Sequence, residues 1–545
     1  MVKEPMSKQS RALLAIRSTL LTYLLPMLSG LLIGTSYIPF QPWALFFCLV
    51  PLMIFWLQAK SAKQIFIGGW ITQFILNLIG FHWISQTATE FGHFPFIAGI
   101  AVLIGFAAIA HTYYAFGATI AFLVEKRFPL RPVYRFAFFV LMFAICDRLF
   151  PMIFPWHLGY PWLWAKWPGA QFADVIGFEG LNIVTIAANA LFAWAVFRWI
   201  RGPAFRSNKM LVPQDSVKCA IGAIVLVSAV QLLGQMKVNS WKTADSELSI
   251  LAVQGNIGNF EKLMVEHGYN FKPPIVHRYI DLSRQGLREH PSAQIMIWPE
   301  TAYPALLDEH ALYDPLTSYV RNFLRETQTP LLTGAYSADR NSQAVYNGFF
   351  YLDSAGNLPL PPYRKTILLV FGETFPFSEY LPYMDKLFPN QGSFTRGSGP
   401  TTLKVSLKGG GTISVGPQIC YEGLYPWFAS SQAAQGAQIF TNVTNDSWFG
   451  YPFEPNQHMY MTLSRAIEFR RPLLRVTNTG ITTAILASGE ILQKSPHARE
   501  WSGEFKIPYL SNPSHTIYEK IGFLWPWVLA FSALLLLRFG REPSA

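Results

Sequence analysis

Long apolar runs crowd the first 235 residues of the chain and recur once near its C-terminus. Runs of this kind supply the helices that cross about 30 Å of bilayer hydrocarbon. We predict eight spans, at residues 18–37, 43–58, 65–84, 96–124, 136–154, 181–200, 219–233 and 521–537. A cleaved signal peptide is the alternative for the first run. No small-residue cleavage site follows it, however, and further runs come at once, which favours a retained anchor.

The segment between the seventh and eighth runs has a different pattern. Short apolar stretches such as LSILAVQGNI (248–257) and TISVGPQICYE (412–422) alternate with helix-like stretches such as DPLTSYVRNFLRETQ (314–328). Strands that alternate with helices are typical of a layered α/β domain. We therefore predict a membrane bundle at 1–235, an α/β domain at 236–520, and a last span with a short tail at 521–545.

Composition and charge agree with a chain that is partly embedded in a membrane. Hydrophobic residues make up 51% of the sequence and charged residues 14%, and the net charge is +11. Lys and Arg residues concentrate at the termini and in alternate loops, whereas the opposite short loops carry only Lys166. Because basic loops stay in the cytoplasm, both termini are predicted to be cytoplasmic and the α/β domain extracytoplasmic. The positive charge therefore gives no reason to invoke a nucleic-acid partner.

Cys420 is the only cysteine outside the predicted spans, since Cys48, Cys146 and Cys219 lie in or at the edge of them. It has no extramembrane partner for a disulfide, and no CxxC or Cys/His spacing indicates a metal site. Cys420 is then either an inert buried thiol or a reactive nucleophile. A reactive cysteine needs a base to take its proton and a cation to stabilise negative charge.

Two charged residues at predicted strand ends could supply these groups. Glu300 follows the apolar stretch AQIMI and is either a solvated strand-end carboxylate or a base in a partly dry pocket. Lys365, in PPYRKTILLV, is by itself more typical of a surface lysine. Taken in the order Glu, Lys, Cys, with each residue at a strand end, the three match a known pattern.

The motifs around these residues resemble the Glu-Lys-Cys motifs of the nitrilase superfamily. They are WPE at 298–300, YRK at 363–365, ICYE at 419–422 and, after the nucleophile position, TNVTNDSWFG at 441–450. Further segments are similar to one branch, the apolipoprotein N-acyltransferases. They are GFHWIS at 80–85, CDRLFPMIFPWHLGY at 146–160, VQGNI at 253–257, VFGE at 370–373, NQH at 456–458 and RAIEFRRPLLRVTNTGIT at 465–482.

The resemblance implies a fold, a reaction and a location. It implies an α-β-β-α sandwich attached to the membrane bundle, with Glu300 as base, Cys420 as nucleophile and Lys365 stabilising the oxyanion. The acyl donor would be a membrane phospholipid, and the acceptor the α-amine of a diacylglyceryl-cysteine at the N-terminus of an apolipoprotein. A ping-pong reaction through a Cys thioester needs no cofactor and no metal. The family implies a monomer in the bacterial inner membrane, with the catalytic domain on the periplasmic side.

Secondary site residues follow partly from the resemblance and partly from the residues around the motifs. Glu373 would share the proton transfer or orient Lys365, with an ordinary loop carboxylate as the alternative. Tyr421 and Glu422 would shape the pocket behind the nucleophile. Phe371 and Leu381 belong to an apolar stretch that is either core or a lid dipping into the outer leaflet, and the lid is favoured. Arg148 would contact a lipid head group, unless it pairs with Asp147.

The chain departs from the family pattern at Leu263, among other positions, because members commonly carry a Trp near the acyl donor there.

Two other classes of function agree with part of the sequence. A membrane-anchored nitrilase-type amidase would use the same triad but leaves eight spans unexplained. A non-catalytic role in a polyprenol-sugar pathway would account for the spans. It would not explain why Glu300, Lys365 and Cys420 are all present.

Overall fold

The computed structural model describes residues 22–90, 92, 94–201, 214–241, 244–258, 271–307, 314–339, 344–370, 372–374, 394–447, 449 and 452–541. Its contacts divide the chain into two compact units. The first takes in Met1–Ala170, Phe178–Leu233 and Ile521–Ala545, and the second takes in Gln171–Gly177 and Gly234–Lys520. Each unit is described by itself below.

The described part of the first unit is helical up to residue 233. Its helices, with α9 and α10 extending into the second unit, are α1 Thr22–Gly34, α2 Val50–Gln58, α3 Ala62–Gly80, α4 Trp83–Glu90, α5 Phe96–Ile109, α6 Tyr113–Arg127, α7 Pro132–Leu149, α8 Pro161–Trp164, α9 Ala173–Arg201 and α10 Gln214–Ser240. Helix α3 begins where the Ser61 side chain accepts a hydrogen bond from the Gln64 N–H, a standard N-cap. Helix α7 ends at Leu149, because Pro151 disfavours helical backbone geometry in the residue before it, Phe150.

Four helical stretches among the described residues are long and apolar enough to cross a membrane. They are Phe96–Arg127, Pro168–Ile200, Gln214–Val238 and Ile517–Phe539. The pair Ala62–Gly80 and Trp83–Glu90, bent by 59°, would make a fifth if it is one span. The structure therefore supports a membrane-type helical segment, and the eight-span arrangement stays a prediction. In the second predicted run, 43–58, only the helix Val50–Gln58 forms.

The second unit contains two β-sheets built from short, buried strands. The strands are β1 Ser246–Gln254, β2 Ile295–Ile297, β3 Tyr303–Leu306, β4 Leu331–Ala338, β5 Val345–Leu352, β6 Tyr363–Arg364, β7 Leu403–Ser406, β8 Thr412–Ile419, β9 Ile439–Thr444, β10 Leu473–Thr477, β11 Thr483–Ile485, β12 Ile491–Lys494 and β13 Trp501–Tyr509. One sheet has the order β13-β1-β2-β4-β5-β6, with β3 beside β4, and the other has the order β12-β11-β10-β9-β8-β7.

Helices connect the parallel strands at the centre of each sheet. They are α11 Lys272–Glu289, α12 Pro315–Thr327, α13 Pro426–Ala434 and α14 Phe453–Phe469. Strands β1, β2 and β4 run parallel, as do β8, β9 and β10. Helix α11 packs on β1 and β13, α14 packs on β10, and the sheets meet through β1 with β10 and β5 with β8. This is the predicted α-β-β-α sandwich.

Burial on both faces explains why the central strands do not alternate between buried and exposed residues. All six residues of β9 are buried, because a helix covers one face of its sheet and the other sheet covers the opposite face. A core cluster that includes Val253, Tyr279, Trp298 and Phe323 fills the space under α11 and α12. The unit ends with helix α15 Ile517–Ile521, and the chain continues into α16 Trp525–Phe539.

Candidate active site

Cys420 lies immediately after strand β8, in a constrained turn. It is the first residue of the 3₁₀ turn Cys420–Leu424, and its φ of 54° places a non-glycine residue in the left-handed region. The turn is held by the Asn442 amide, whose Nδ2 donates to the Cys420 carbonyl oxygen at 2.9 Å. The side chain is buried, with 7% of the residue exposed. Unusual backbone geometry of this kind is common at reacting residues.

Lys365 lies directly after β6, and its ammonium group is held between two carboxylates. Its Nζ donates to Glu300 Oε1 at 3.1 Å and lies 2.8 Å from Glu373 Oε2. Glu300 follows β2, and Glu373 lies in the loop after Lys365. The structure therefore brings together two residues that are 65 positions apart, in a pocket where Lys365 is only 1% exposed.

Asn347 was missed by the sequence analysis, although it contacts both carboxylates. Its Nδ2 donates to Glu300 Oε1 at 2.7 Å and to Glu373 Oε1 at 3.1 Å. The only signal in the sequence is a polar residue inside the apolar strand β5, VYNGFFYL. The other Glu300 oxygen accepts from the backbone N–H of Asn445 at 3.0 Å. Glu300 is thus fixed through both of its oxygens.

The charges of this pocket act on the thiol. Burial raises the pKa of Cys420 well above its usual range and the nearby Glu300 raises it further, while Lys365 and a hydrogen bond with Thr444 act in the opposite direction. Burial alone would lower the pKa of Lys365, but Glu300 and Glu373 more than offset this and hold that pKa above its usual range. These effects favour a protonated thiol and a charged ammonium group in the resting pocket.

Glu422 connects the cysteine turn to the segment that carries Lys365. Its Oε1 accepts from the Tyr363 hydroxyl at 2.5 Å and the Thr366 N–H at 2.6 Å, and its Oε2 accepts from the Ile419 N–H at 2.8 Å. Burial raises the pKa of Glu422 to about 7, against the effect of these donors. The neighbouring Tyr421 is also buried and packs on Tyr425, with ring centroids 5.3 Å apart.

The remaining predicted site residues lie elsewhere in the chain. Arg148, at the C-terminal end of α7, pairs through Nε with Glu179 at 3.2 Å, and its side chain is 35% exposed. Asp147 instead accepts from Asn182 Nδ2 at 2.6 Å, so the two neighbours have different partners. The segment 375–393, with Leu381, lies outside the described residues, as do Phe371 and Leu263.

Comparison with known proteins identifies the class of both parts of the chain. A family model described as carbon-nitrogen hydrolase matches residues 252–501, and the model of the apolipoprotein N-acyltransferase N-terminal domain matches residues 29–191. Among solved structures, Saccharomyces cerevisiae Nit3, a member of branch 10 of the nitrilase superfamily, is 14% identical with a TM-score of 0.37. The match covers 52% of this chain and 96% of that one.

Full-length relatives extend the match over nearly the whole chain. The apolipoprotein N-acyltransferase of Bdellovibrio bacteriovorus is 43% identical over 518 residues, which cover 93% of this chain and 92% of that protein. The Geobacter metallireducens enzyme of the same name is 29% identical, and the alignment covers 95% and 96% of the two chains.

The sandwich and the carbon-nitrogen hydrolase match define a nitrilase-type enzyme that also carries an apolar helical segment. The chain belongs to the apolipoprotein N-acyltransferase family, which confirms the resemblance seen in its motifs. It is therefore an acyltransferase that acts in lipoprotein biosynthesis.

Proposed function

We propose that Cys420 carries the transferred acyl group as a thioester, with Glu300 as the proton acceptor and Lys365 as the stabiliser of the oxyanion. The observation that supports this most strongly is the buried contact of Lys365 with Glu300 and Glu373, in a pocket whose charges bear on the Cys420 thiol. A protonated thiol cannot attack an ester, so the reaction needs the adjacent carboxylate.

The first half-reaction acylates the enzyme. Glu300 takes the thiol proton while the Cys420 sulfur attacks an ester carbonyl of a phospholipid. The tetrahedral oxyanion is stabilised by the Lys365 ammonium. The C–O bond then breaks, the lysophospholipid alcohol leaves with the proton from Glu300, and a thioester remains on Cys420.

The second half-reaction transfers the chain. The α-amine of a diacylglyceryl-cysteine, at the N-terminus of an apolipoprotein, attacks the thioester and passes a proton to Glu300. The C–S bond breaks, the sulfur is reprotonated, and an amide leaves. Conversion of an ester to an amide is downhill, so these steps require neither ATP nor a cofactor.

The remaining side chains have supporting roles in this proposal. Glu373 orients Lys365 together with Glu300, and Tyr421 and Glu422 shape the wall behind the nucleophile. Arg148 contacts the phospholipid head group. Phe371 and Leu381 belong to the lid that admits acyl chains. Water is excluded by such a lid, which protects the thioester from hydrolysis.

The same proposal fixes the arrangement in the cell. Residues 1–235 form a bundle with seven spans, 236–520 form the catalytic domain, and 521–545 form the eighth span and a tail. Both termini are cytoplasmic, and the catalytic domain lies on the periplasmic side of the inner membrane. The enzyme acts as a monomer. Both substrates are anchored in the same leaflet, which explains why a nitrilase-type domain is attached to membrane spans.

The test is trapping of the acyl-enzyme. Purified enzyme incubated with phospholipid alone is expected to gain an acyl adduct on Cys420 that hydroxylamine removes, as detected by mass spectrometry. Cys420→Ser, which changes one atom of the side chain, is expected to retain the fold and to lose both the adduct and transfer. Substantial transfer by this variant, or hydrolysis of small amides without an acyl adduct, would contradict the proposal and favour an amidase.

A further inference from the structure

Four buried charged or titratable side chains lie together behind the catalytic pocket. They are Asp446, Glu454, His458 and Arg475. The His458 Nδ1 lies 3.4 Å from both Asp446 Oδ1 and Glu454 Oε1, and Arg475 pairs with Asp446 at 2.8 Å. The mechanism above uses none of these groups, although burying so much charge is costly unless it is well paired.

The first three of these side chains have the spacing of a metal site, but the cation among them is Arg475. Ligand atoms of Asp446, Glu454 and His458 lie within 4.8 Å of one another. The Arg475 Nη2 lies 2.8 Å from Asp446 Oδ2 and 3.2 Å from His458 Nδ1. A guanidinium group in this place both neutralises the carboxylate and repels a second cation. The cluster is thus an internal ion network.

One branch of this network reaches the nucleophile. The Arg475 Nη1 donates to Asn442 Oδ1 at 2.7 Å, which orients the amide so that its Nδ2 donates to the Cys420 carbonyl oxygen at 2.9 Å. Residue 420 has the left-handed φ of 54°, which costs free energy and persists only when its surroundings enforce it. Through Asn442, Arg475 holds the backbone of the nucleophile in this geometry.

The other branch reaches the base. Asp446, the ion-pair partner of Arg475, directly follows Asn445, whose backbone N–H donates to Glu300 Oε2 at 3.0 Å. The Asn445 side-chain oxygen accepts from Asn478 Nδ2 at 2.9 Å, which fixes the same residue from another side. The ion pair therefore anchors the segment that positions Glu300.

We propose that Arg475 is a positioning residue that sets the Cys420 nucleophile and the Glu300 base relative to each other through Asn442 and Asp446. This inference rests on the proposed roles of Cys420 and Glu300. Its physical basis is that a misplacement of about 1 Å in a reacting group can cost about 100-fold in rate.

If Arg475 positions the reacting groups, its loss should slow the acylation of each competent enzyme molecule. A residue that only stabilises the fold would not change this rate. The assay mixes enzyme in detergent with phospholipid and no acceptor, and follows the first release of lysophospholipid. The burst amplitude counts competent enzyme molecules, and the burst rate constant reports how fast each is acylated. Asn442→Leu breaks the branch to Cys420 without removing a charge. The double variant Arg475→Gln/Asp446→Asn removes both members of the ion pair and leaves no unpaired charge between them.

A second buried ion pair supplies the control. Arg471 is as deeply buried as Arg475, pairs with Glu519 at 3.4 Å and donates to the Ala437 carbonyl at 2.7 Å, with no contact to a proposed catalytic group among the described residues. Arg471→Gln/Glu519→Gln is expected to lower the melting temperature or the amplitude while leaving the rate constant within about twofold of wild type.

For Asn442→Leu and Arg475→Gln/Asp446→Asn, we expect a burst rate constant at least about tenfold below wild type with a measurable amplitude. A burst rate constant within twofold of wild type in Asn442→Leu would overturn the inference. If the double variant does not fold, Asn442→Leu alone provides the test. The absence of any burst in the wild-type enzyme would instead refute the proposed function itself.

Discussion

At the scale of single residues, the catalytic pocket depends on opposing electrostatic effects on one thiol. Burial and Glu300 hold the pKa of Cys420 high, and Lys365 lowers it. Glu300 therefore has two separable effects. It favours the protonated thiol in the resting enzyme, and it accepts the proton when an ester is attacked.

Glu300→Gln is expected to have opposite effects on two reactions. Acylation by phospholipid should fall by about 100-fold or more, because the base is lost. Alkylation of Cys420 by iodoacetamide should become faster at pH 7, because the pKa of the thiol falls and the thiolate fraction below that pKa rises. The measurement is the alkylation rate by mass spectrometry beside the lysophospholipid burst.

Lys365→Met is the matched variant for this experiment. Loss of the ammonium group raises the pKa of Cys420, so alkylation should slow, and acylation should fall as well because the oxyanion loses its stabiliser. If Glu300→Gln and Lys365→Met changed the alkylation rate in the same direction, the opposed electrostatic roles of the two residues would be wrong.

At the scale of elements, buried charged groups join segments that are distant in sequence. Glu422 ties the turn after β8 to residues 366 and 367, and Arg470, at the end of α14, ties that helix to residues before and after it. The Arg470 guanidinium donates through Nε to Asp174 Oδ2 at 3.0 Å and through Nη1 to Gln171 Oε1 at 2.7 Å. These contacts explain why Gln171–Gly177 belongs to the same compact unit as the sandwich.

Asp174→Asn is expected to destabilise the catalytic unit strongly. The carboxylate pairs with both Arg470 and Lys237, at 3.0 and 2.9 Å, so its neutralisation leaves Arg470 buried without its ion-pair partner. Breaking a buried pair in this way costs about 3–5 kcal/mol. Thermal unfolding in detergent measures the effect. Asp215→Asn is the control, because its pair with Arg198 is exposed and contributes at most about 1 kcal/mol. Equal melting temperatures for the two variants would contradict the prediction.

Glu422 predicts a pH dependence of stability. Its pKa is raised from an ordinary value of 4.5 to about 7 by burial, so the folded protein binds this proton more tightly than the unfolded chain does. The corresponding stabilisation is present below pH 4.5 and is lost as the pH rises towards 7. It amounts to about 3 kcal/mol at most. Glu422→Gln should flatten this decline in a series of melting temperatures from pH 5 to 8. An unchanged slope would show that Glu422 remains ionised throughout.

At the scale of the whole molecule, the chain combines a carbon-nitrogen hydrolase sandwich with an apolar helical segment. Among the described residues, four helices are long and apolar enough to cross a membrane, or five if the bent pair Ala62–Gly80 and Trp83–Glu90 is one span. The orientation proposed for them rests on the distribution of Lys and Arg, because positive loops stay in the cytoplasm.

Reporter fusions test this orientation. A reporter fused after Lys520, without the last span, is expected to behave as periplasmic, and one fused after Ala545 as cytoplasmic. Alkaline phosphatase and green fluorescent protein, which are active in the periplasm and the cytoplasm respectively, give opposite readings at each position. The reversed result would place Cys420 on the wrong side for lipoprotein maturation and overturn the charge argument.

The sequence by itself determined the motifs, the two types of structure and the family. Glu300 and Cys420 each follow an apolar strand, and Lys365 follows the short strand Tyr363–Arg364. Strand periodicity and motif spacing are local properties that can be read along the chain. The same is true of the apolar runs, because a hydrophobic stretch is defined by its composition. The matches confirm the family and the carbon-nitrogen hydrolase domain.

Only the tertiary structure decided which side chains meet. Asn347 contacts Glu300 across 47 positions, the Asn445 N–H reaches the same carboxylate across 145, and Arg470 finds Gln171 across 299. A buried polar residue needs a hydrogen-bond partner, and the fold determines which residue that is. The spacing of residues along the sequence does not indicate this partner. Arg475 lies in the strand LLRVT, whose sequence does not predict a link between nucleophile and base. That link is seen only in the contacts of Arg475 with Asn442 and Asp446.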